Sequence, residues 1–200
     1  MTPYHESDGV TLYHGDCREI LPQLGRFDLL LTDPPYGIDV GSMGMGKGAK
    51  ASEFDSFDWD KEKPDLQFAL QACQDWIVWG GNYFGWAESP CVLIWDKMQE
   101  FSGAEFELAA TSLRMPSKAF RLSRVEAYAK GKQHPTQKPV ALMRWCLQFI
   151  PNAKTILDPF AGSGTTLLAA KLEGRKAVGI EISEEYCEIA ANRLRQRLLF

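Results

Sequence analysis

Asp33-Pro34-Pro35-Tyr36 is the segment of this sequence best suited to chemistry on a nitrogen atom. It follows Phe27-Asp28-Leu29-Leu30-Leu31-Thr32, an apolar run that reads as a strand buried on both faces. Ligands of open parallel sheets bind at the carboxyl ends of the strands. The two prolines fix the backbone and remove two N–H donors. What remains is a cluster of acceptors, the Asp33 carboxylate and the Pro34 carbonyl, beside the ring of Tyr36. An exocyclic base amine is a poor nucleophile because its lone pair is delocalised into the ring. Two acceptors, one for each N–H, draw the nitrogen toward tetrahedral geometry and free that lone pair. Asp33 then stabilises the positive charge that grows on nitrogen, and Tyr36 can stack on the base. This chemistry needs neither a metal nor a covalent enzyme intermediate.

A second segment, Asp158-Pro159-Phe160-Ala161-Gly162-Ser163-Gly164-Thr165-Thr166, lies between a strand pattern at 155–158 and a helix pattern at 167–174. Gly162 and Gly164 permit a tight turn, and the helix beyond it presents backbone N–H groups and a positive dipole end. Glu181 closes the next strand pattern, at the spacing of an acid that takes ribose hydroxyls. A dinucleotide fingerprint requires a third glycine where Leu167 stands, and no lysine follows Gly164 as a P-loop requires. A nucleoside without phosphates fits better, and adenosine carried on methionine is the natural candidate.

The elements around these segments read as an α/β chain. Strand patterns occupy 10–16, 27–32, 75–79, 91–95, 107–112, 155–158 and 176–181. Helix patterns occupy 17–24, 64–74, 139–149, 167–174 and, capped by Ser183, a last helix to about Arg197. The alternation predicts a mainly parallel sheet with helices on both faces. Gly37 to Lys50 holds five glycines and reads as a mobile loop. Two hundred residues at 45% hydrophobic make one globular domain, residues 1–200, with a short insert around 37–63 and a basic stretch at 114–138.

Charge narrows the partners. A net charge of −4 argues against a general polyanion binder. Yet Arg114 to Lys138 holds seven basic residues and one acid, whereas Glu53 to Asp65 holds six acids and two lysines. Lys118, Arg121 and Arg124 in that stripe, with Lys47 in the glycine-rich loop, are the candidate nucleic-acid contacts. The five cysteines form no C-x-x-C pair and there are three histidines, so no metal is expected. No apolar run has the length of a membrane span and no signal peptide is visible, which points to a cytosolic location.

The order of the motifs resembles the beta-class amino-methyltransferases of the DNA N4-cytosine/N6-adenine methylase family. Asp33 to Tyr36 come first and Phe160, Gly162 and Gly164 come late, with His134-Pro135-Thr136-Gln137-Lys138-Pro139 just before the glycine turn. Residues 10–40 and 134–195 carry the resemblance, and Trp79-Gly80-Gly81-Asn82-Tyr83-Phe84 is similar to small phage-borne members. The resemblance implies a Rossmann-like S-adenosylmethionine-dependent methyltransferase fold with permuted motif order. It implies that Phe160, Gly162, Gly164 and Thr165 shape the cofactor pocket, with Asp158 near the methionine end and Asp33 at its border. Glu181 would hold the ribose, Asp16 would approach the adenine, and Thr136 and Lys138 would reach the methionine carboxylate. Asp33, Pro34, Pro35 and Tyr36 would hold a base flipped out of DNA.

The expected activity is methylation of N6 of adenine in DNA. Methylation of N4 of cytosine is the alternative, since that reaction more often has serine where Asp33 stands. A catalytically silent nucleic-acid-binding module is the alternative of a different class. Only 37–133 separates the two ligand motifs, so a separate recognition domain does not fit. Specificity should then be short or relaxed, with a homodimer as one means of holding duplex DNA. A restriction endonuclease partner is left open.

Overall fold

The computed structural model describes residues 1–37, 63–86, 89–99, 104–128 and 137–196. The glycine-rich loop expected to Lys50, with Lys47 in it, lies outside the described residues, as does Thr136.

Among the described residues, nine strands form one sheet. In chain order they are β1 (His5–Ser7), β2 (Val10–His14), β3 (Phe27–Thr32), β4 (Cys73–Trp79), β5 (Cys91–Asp96), β6 (Phe106–Thr111), β7 (Lys118–Arg121), β8 (Thr155–Asp158) and β9 (Lys176–Glu181). Their order across the sheet is β1-β2-β9-β8-β3-β4-β6-β5-β7. The five neighbours from β2 to β4 all run parallel. β6 is antiparallel to both β4 and β5, and β7 runs parallel to β5 at the edge. Because β6 is reversed, its first residues, not its last, lie at the edge where its neighbours end.

Alternate residues of the central strands feed two cores, which explains why those strands read as continuous apolar runs. Leu29, Leu31, Ile77, Trp79 and Ile156 pack on one face, against α4 (Val140–Leu147), α5 (Thr165–Leu172) and α6 (Glu184–Arg195). Leu30, Val78, Leu157 and Ile180 pack on the other, against Ile20 of α1 (Cys17–Ile20) and Ala69 of α2 (Gln67–Gln71). A short helix, α3 (Arg124–Ala127), follows β7. The expected Rossmann-like architecture, with helices on both faces of a mainly parallel sheet, is the one observed.

Element boundaries differ where tertiary pairing overrides local pattern. The helix expected over 64–74 is confined to Gln67–Gln71, because Cys73 already pairs with Phe27 at the start of β4. The helix after the glycine turn begins at Thr165, two residues earlier than its apolar spacing suggests. The basic stretch, which has no clear periodicity, supplies β7 and α3. Phe120 holds β7 in place by packing on Trp145 of α4, with ring centroids 5.4 Å apart. Among the described residues, no helix is long and apolar enough to cross a membrane.

Candidate active site

Five parallel strands deliver their carboxyl ends to one edge. Along it lie Gly15 and Asp16 after β2, Glu181 ending β9, Asp158 ending β8, Asp33 after β3 and Gly80 after β4. Parallel alignment therefore brings residues 16, 33, 158 and 181 together across large sequence separations.

The glycine turn forms one half of the site. The side chain of Asp158 accepts a hydrogen bond from Thr32 Oγ1 at 2.7 Å and from the Phe160 amide at 3.2 Å. Burial pushes its carboxyl up to about 6, against the hydrogen bonds from Thr166 and Thr32 that favour the ionised form. Glu181 accepts from the Gly162 amide at 2.7 Å and the Ser183 amide at 2.8 Å, and the Gly15 amide bonds its carbonyl at 2.9 Å. Gly164 takes a left-handed φ of 77° as the cap of α5, which leaves that helix start without a capping side chain. A Cβ on Gly164 would stand 2.9 Å from the Ala190 Cβ, so this glycine also serves the packing of α5 on α6. From α6, Arg193 Nη1 donates to Ser163 O at 2.5 Å, Ser163 Oγ at 2.9 Å and Thr165 Oγ1 at 3.2 Å. Arg193 thus braces the turn from behind, a role that its place in an amphipathic helix did not signal. Asp16 caps α1 through the Arg18 amide at 2.8 Å and is paired with the Arg18 guanidinium.

The Asp-Pro-Pro-Tyr turn forms the other half, and it is densely charged. Lys138 Nζ lies 2.5 Å from Asp33 Oδ2, 3.0 Å from Glu107 Oε2 and 3.3 Å from the Tyr36 hydroxyl. The Tyr36 hydroxyl donates to Asp33 Oδ1. Lys97 Nζ lies 2.8 Å from Glu107 Oε1. Lys138 is 4% exposed and Asp33 16%, so this is an alternating chain of charges set into the protein. Burial works against ionisation of Asp33 and pushes its carboxyl up; Lys138 opposes that and Glu107 adds to it. Burial also opposes ionisation of Glu107, yet Lys138 and Lys97 outweigh it and hold that carboxyl at about 2. Lys138 is desolvated too, but Asp33 and Glu107 keep its ammonium charged far above the ordinary range.

Tyr36 is itself held. Its ring stacks on Tyr83, with centroids 4.8 Å apart and planes 17° from parallel. Gly80, with φ 72°, makes room: a Cβ there would stand 2.0 Å from the Tyr36 ring. Tyr83 remains 41% exposed, so the aromatic surface beside Asp33 consists of two rings rather than the one expected.

A small cleft, open to solvent, joins the two halves; Asp33, Lys138, Asp158, Phe160 and Gly162 are among its lining residues. An acidic group at one wall, an aromatic ring and a helix start suit a cationic nucleoside. The structure thus brings Asp33, Lys138, Asp158, Phe160, Gly162 and Thr165 to one cleft, with Glu181 bound to Gly162 at its rim. Pro34 and Pro35 lead from Asp33 to Tyr36 as expected. Lys138 lines the cleft, but its ammonium is turned to the two carboxylates rather than left open for a ligand carboxylate. The basic residues lie apart. Lys118 and Arg121 stand on edge strand β7, where Arg121 Nε is 3.3 Å from Asp96 Oδ2, and Arg124 opens α3.

Glu107 and Lys97 were not legible as site residues. Glu107 sits in an ordinary strand pattern and reaches the site because β6 is reversed, whereas Lys97 directly follows β5 at that strand's carboxyl end.

Residues 78–192 match the profile of the DNA methylase family that acts on N6 and N4 amines. The chain is 50% identical to the type II methyltransferase M2.DpnII of Streptococcus pneumoniae, over 96% of this chain and 92% of that protein. Two solved structures share the fold. One, titled the M1.HpyAVI-SAM complex, has a TM-score of 0.60 at 23% identity and covers 92% of this chain and 99% of its own. The other, the cytosine-N4-specific PvuII DNA methyltransferase, has a TM-score of 0.65 at 15% identity and covers 99% of this chain and 90% of its own.

Proposed function

We propose, from the premise that the chain belongs to the DNA methylase family and is a DNA methyltransferase that uses S-adenosylmethionine, that its acceptor is the N6 amine of adenine and that Asp33 is the catalytic acceptor. The observation that carries this reading is the Asp33 carboxylate, held between Tyr36 and Lys138 at the mouth of the cleft.

The bound cofactor supplies an electrophilic methyl group, which needs no activation beyond alignment. Phe160, Gly162 and Thr165 would shape its pocket, with Asp158 facing the positively charged methionine end and Glu181 accepting from the ribose hydroxyls. Asp16 sits beside Glu181 at the end of β2 and would approach the adenine of the cofactor. Asp33 and the Pro34 carbonyl accept the two N–H bonds of the target amine, and Asp33 offsets the charge that develops on nitrogen. The target base must leave the duplex to reach Asp33, at about a few kcal/mol. Tyr83, partly exposed and stacked on Tyr36, offers the flipped base a ring. Lys118, Arg121 and Arg124 contact phosphates beyond the site.

The test is to incubate the protein with unmethylated DNA and methyl-labelled S-adenosylmethionine and to identify the labelled nucleoside after digestion. N6-methyladenine is expected. N4-methylcytosine would keep the mechanism and replace the base, whereas unlabelled DNA would remove the reading.

A further inference from the structure

Asp33 in this structure has both carboxylate oxygens engaged, one by the Tyr36 hydroxyl and one by the Lys138 ammonium. An acceptor held by a lysine that no other group shared would be weakened toward an incoming amine. The same ammonium, however, is divided. Glu107 Oε2 pairs with it at 3.0 Å as an ion pair without aligned hydrogen-bond geometry, and Glu107 is itself fixed from the other side by Lys97 at 2.8 Å. Burying four charges costs several kcal/mol per ion, and such clusters are weak contributors to stability compared with apolar packing. The cluster calls for an explanation other than stability.

We infer that Glu107 is a positioning residue for the methyl transfer: by sharing Lys138 it keeps Asp33 from being locked by that lysine, so that Asp33 remains a strong acceptor for the target amine. Lys97 completes the arrangement by holding Glu107 in place and charged.

The electrostatics agree with the geometry. The groups that face Asp33 are Lys138 ahead of α4, Tyr36 in its own turn, Glu107 on β6 with Lys97 behind it, and Asp158 ending β8; Tyr128, ending α3, faces the cluster as well. Of these, only the carboxylate of Glu107 both repels a charge on Asp33 and competes for its counter-ion. Loss of the Glu107 charge therefore leaves Lys138 to Asp33 alone. The Asp33 carboxyl becomes more acidic, and a less basic carboxylate accepts a hydrogen bond less strongly.

This rests on Asp33 being the amine acceptor, so the experiment separates the two claims. The Asp33 side-chain carboxyl resonance is followed with pH in the full chain labelled with ¹³C at aspartate carboxyls, and assigned by its loss in Asp33→Asn. Glu107→Gln, nearly the same shape without the charge, should lower the Asp33 midpoint by roughly one pH unit. Its kcat should fall roughly tenfold, the scale for losing a group that acts through another, with cofactor affinity unchanged. Glu107→Asp, shorter but charged, should stay nearer to wild type in both. An unmoved midpoint in Glu107→Gln, or a Glu107→Asp protein more impaired than Glu107→Gln, assigns Glu107 to packing and overturns the inference. A check that needs no variant is the order of titration in wild type: Glu107 must stay ionised below the pH at which Asp33 takes its proton, and the reverse order also overturns it. Normal turnover in Asp33→Asn would instead remove the reading of Asp33 itself.

Discussion

The two halves of the cleft are assembled in different ways. The glycine-turn half is local: residues 158–166 make the turn, Glu181 follows on the next strand, and Arg193 on the next helix. Backbone amides, threonine hydroxyls and one guanidinium hold it. The Asp33 half is gathered from five separate segments, at 33–36, 80–83, 97, 107 and 138, and charged side chains hold it. Backbone-built sites change little when a single side chain is altered, whereas a buried charge network fails when one member leaves, because the remaining charges are unpaired. Substitutions should therefore act on different steps in the two halves.

The largest effect is expected for Asp33→Ala. Turnover should drop by about 100-fold or more, the scale for losing one transition-state partner, while cofactor binding measured by calorimetry stays intact. Loss of cofactor binding instead would erase the contrast between the halves. Gly80→Ala comes next. Its Cβ would meet the Tyr36 ring at 2.0 Å, at a φ of 72° that L-residues rarely adopt. Displacing Tyr36 by about an ångström should reduce kcat by roughly 10- to 100-fold, again with little change in cofactor affinity.

Arg193→Ala tests the other half. Removing its contacts to Ser163 and Thr165 should weaken cofactor binding by roughly tenfold, equal to about one charged hydrogen bond, and leave kcat at saturating cofactor nearly unchanged. A kcat defect without an affinity defect would show that the halves are coupled.

A last effect, on stability rather than on turnover or binding, concerns Asp158. The native Asp158 carboxyl, raised by burial to about 6, holds a proton that the unfolded chain releases above its ordinary value near 3.9. The native state therefore binds more protons in that window, and the contribution of this group falls as pH rises from about 4 to about 6. Asp158→Asn abolishes the titration. In urea unfolding, its stability relative to wild type should rise by up to about 3 kcal/mol between pH 4 and pH 7. An unchanged difference would mean that the Asp158 carboxyl titrates in the native protein as it does in the unfolded chain.

The contrast also shows why one half was readable in the amino-acid order and the other only in part. Asp158, Phe160, Gly162, Gly164 and Glu181 lie within one strand–turn–helix–strand unit, whose spacing is set by local backbone geometry. The carboxylate of Asp33 was equally legible, since two prolines after a buried strand leave few other readings. Its charged partners were not: Lys138 was expected at the cofactor's carboxylate, and Glu107 carried no signal. Glu107 is the second residue of β6, and nothing in Phe106-Glu107-Leu108-Ala109-Ala110-Thr111 shows that this strand is inserted antiparallel between β4 and β5. Had β6 run parallel, Glu107 would lie at the opposite edge of the sheet.

The sequence by itself determined the alternating α/β pattern, the two ligand turns and their permuted order, because those depend on hydrophobic period, proline and glycine, which act within a few residues. Tertiary structure alone decided the sharing of Lys138 between Asp33 and Glu107, the stacking of Tyr36 on Tyr83 and the brace of Arg193. Those contacts depend on strand order and direction, and these are set by how the two cores close on the sheet.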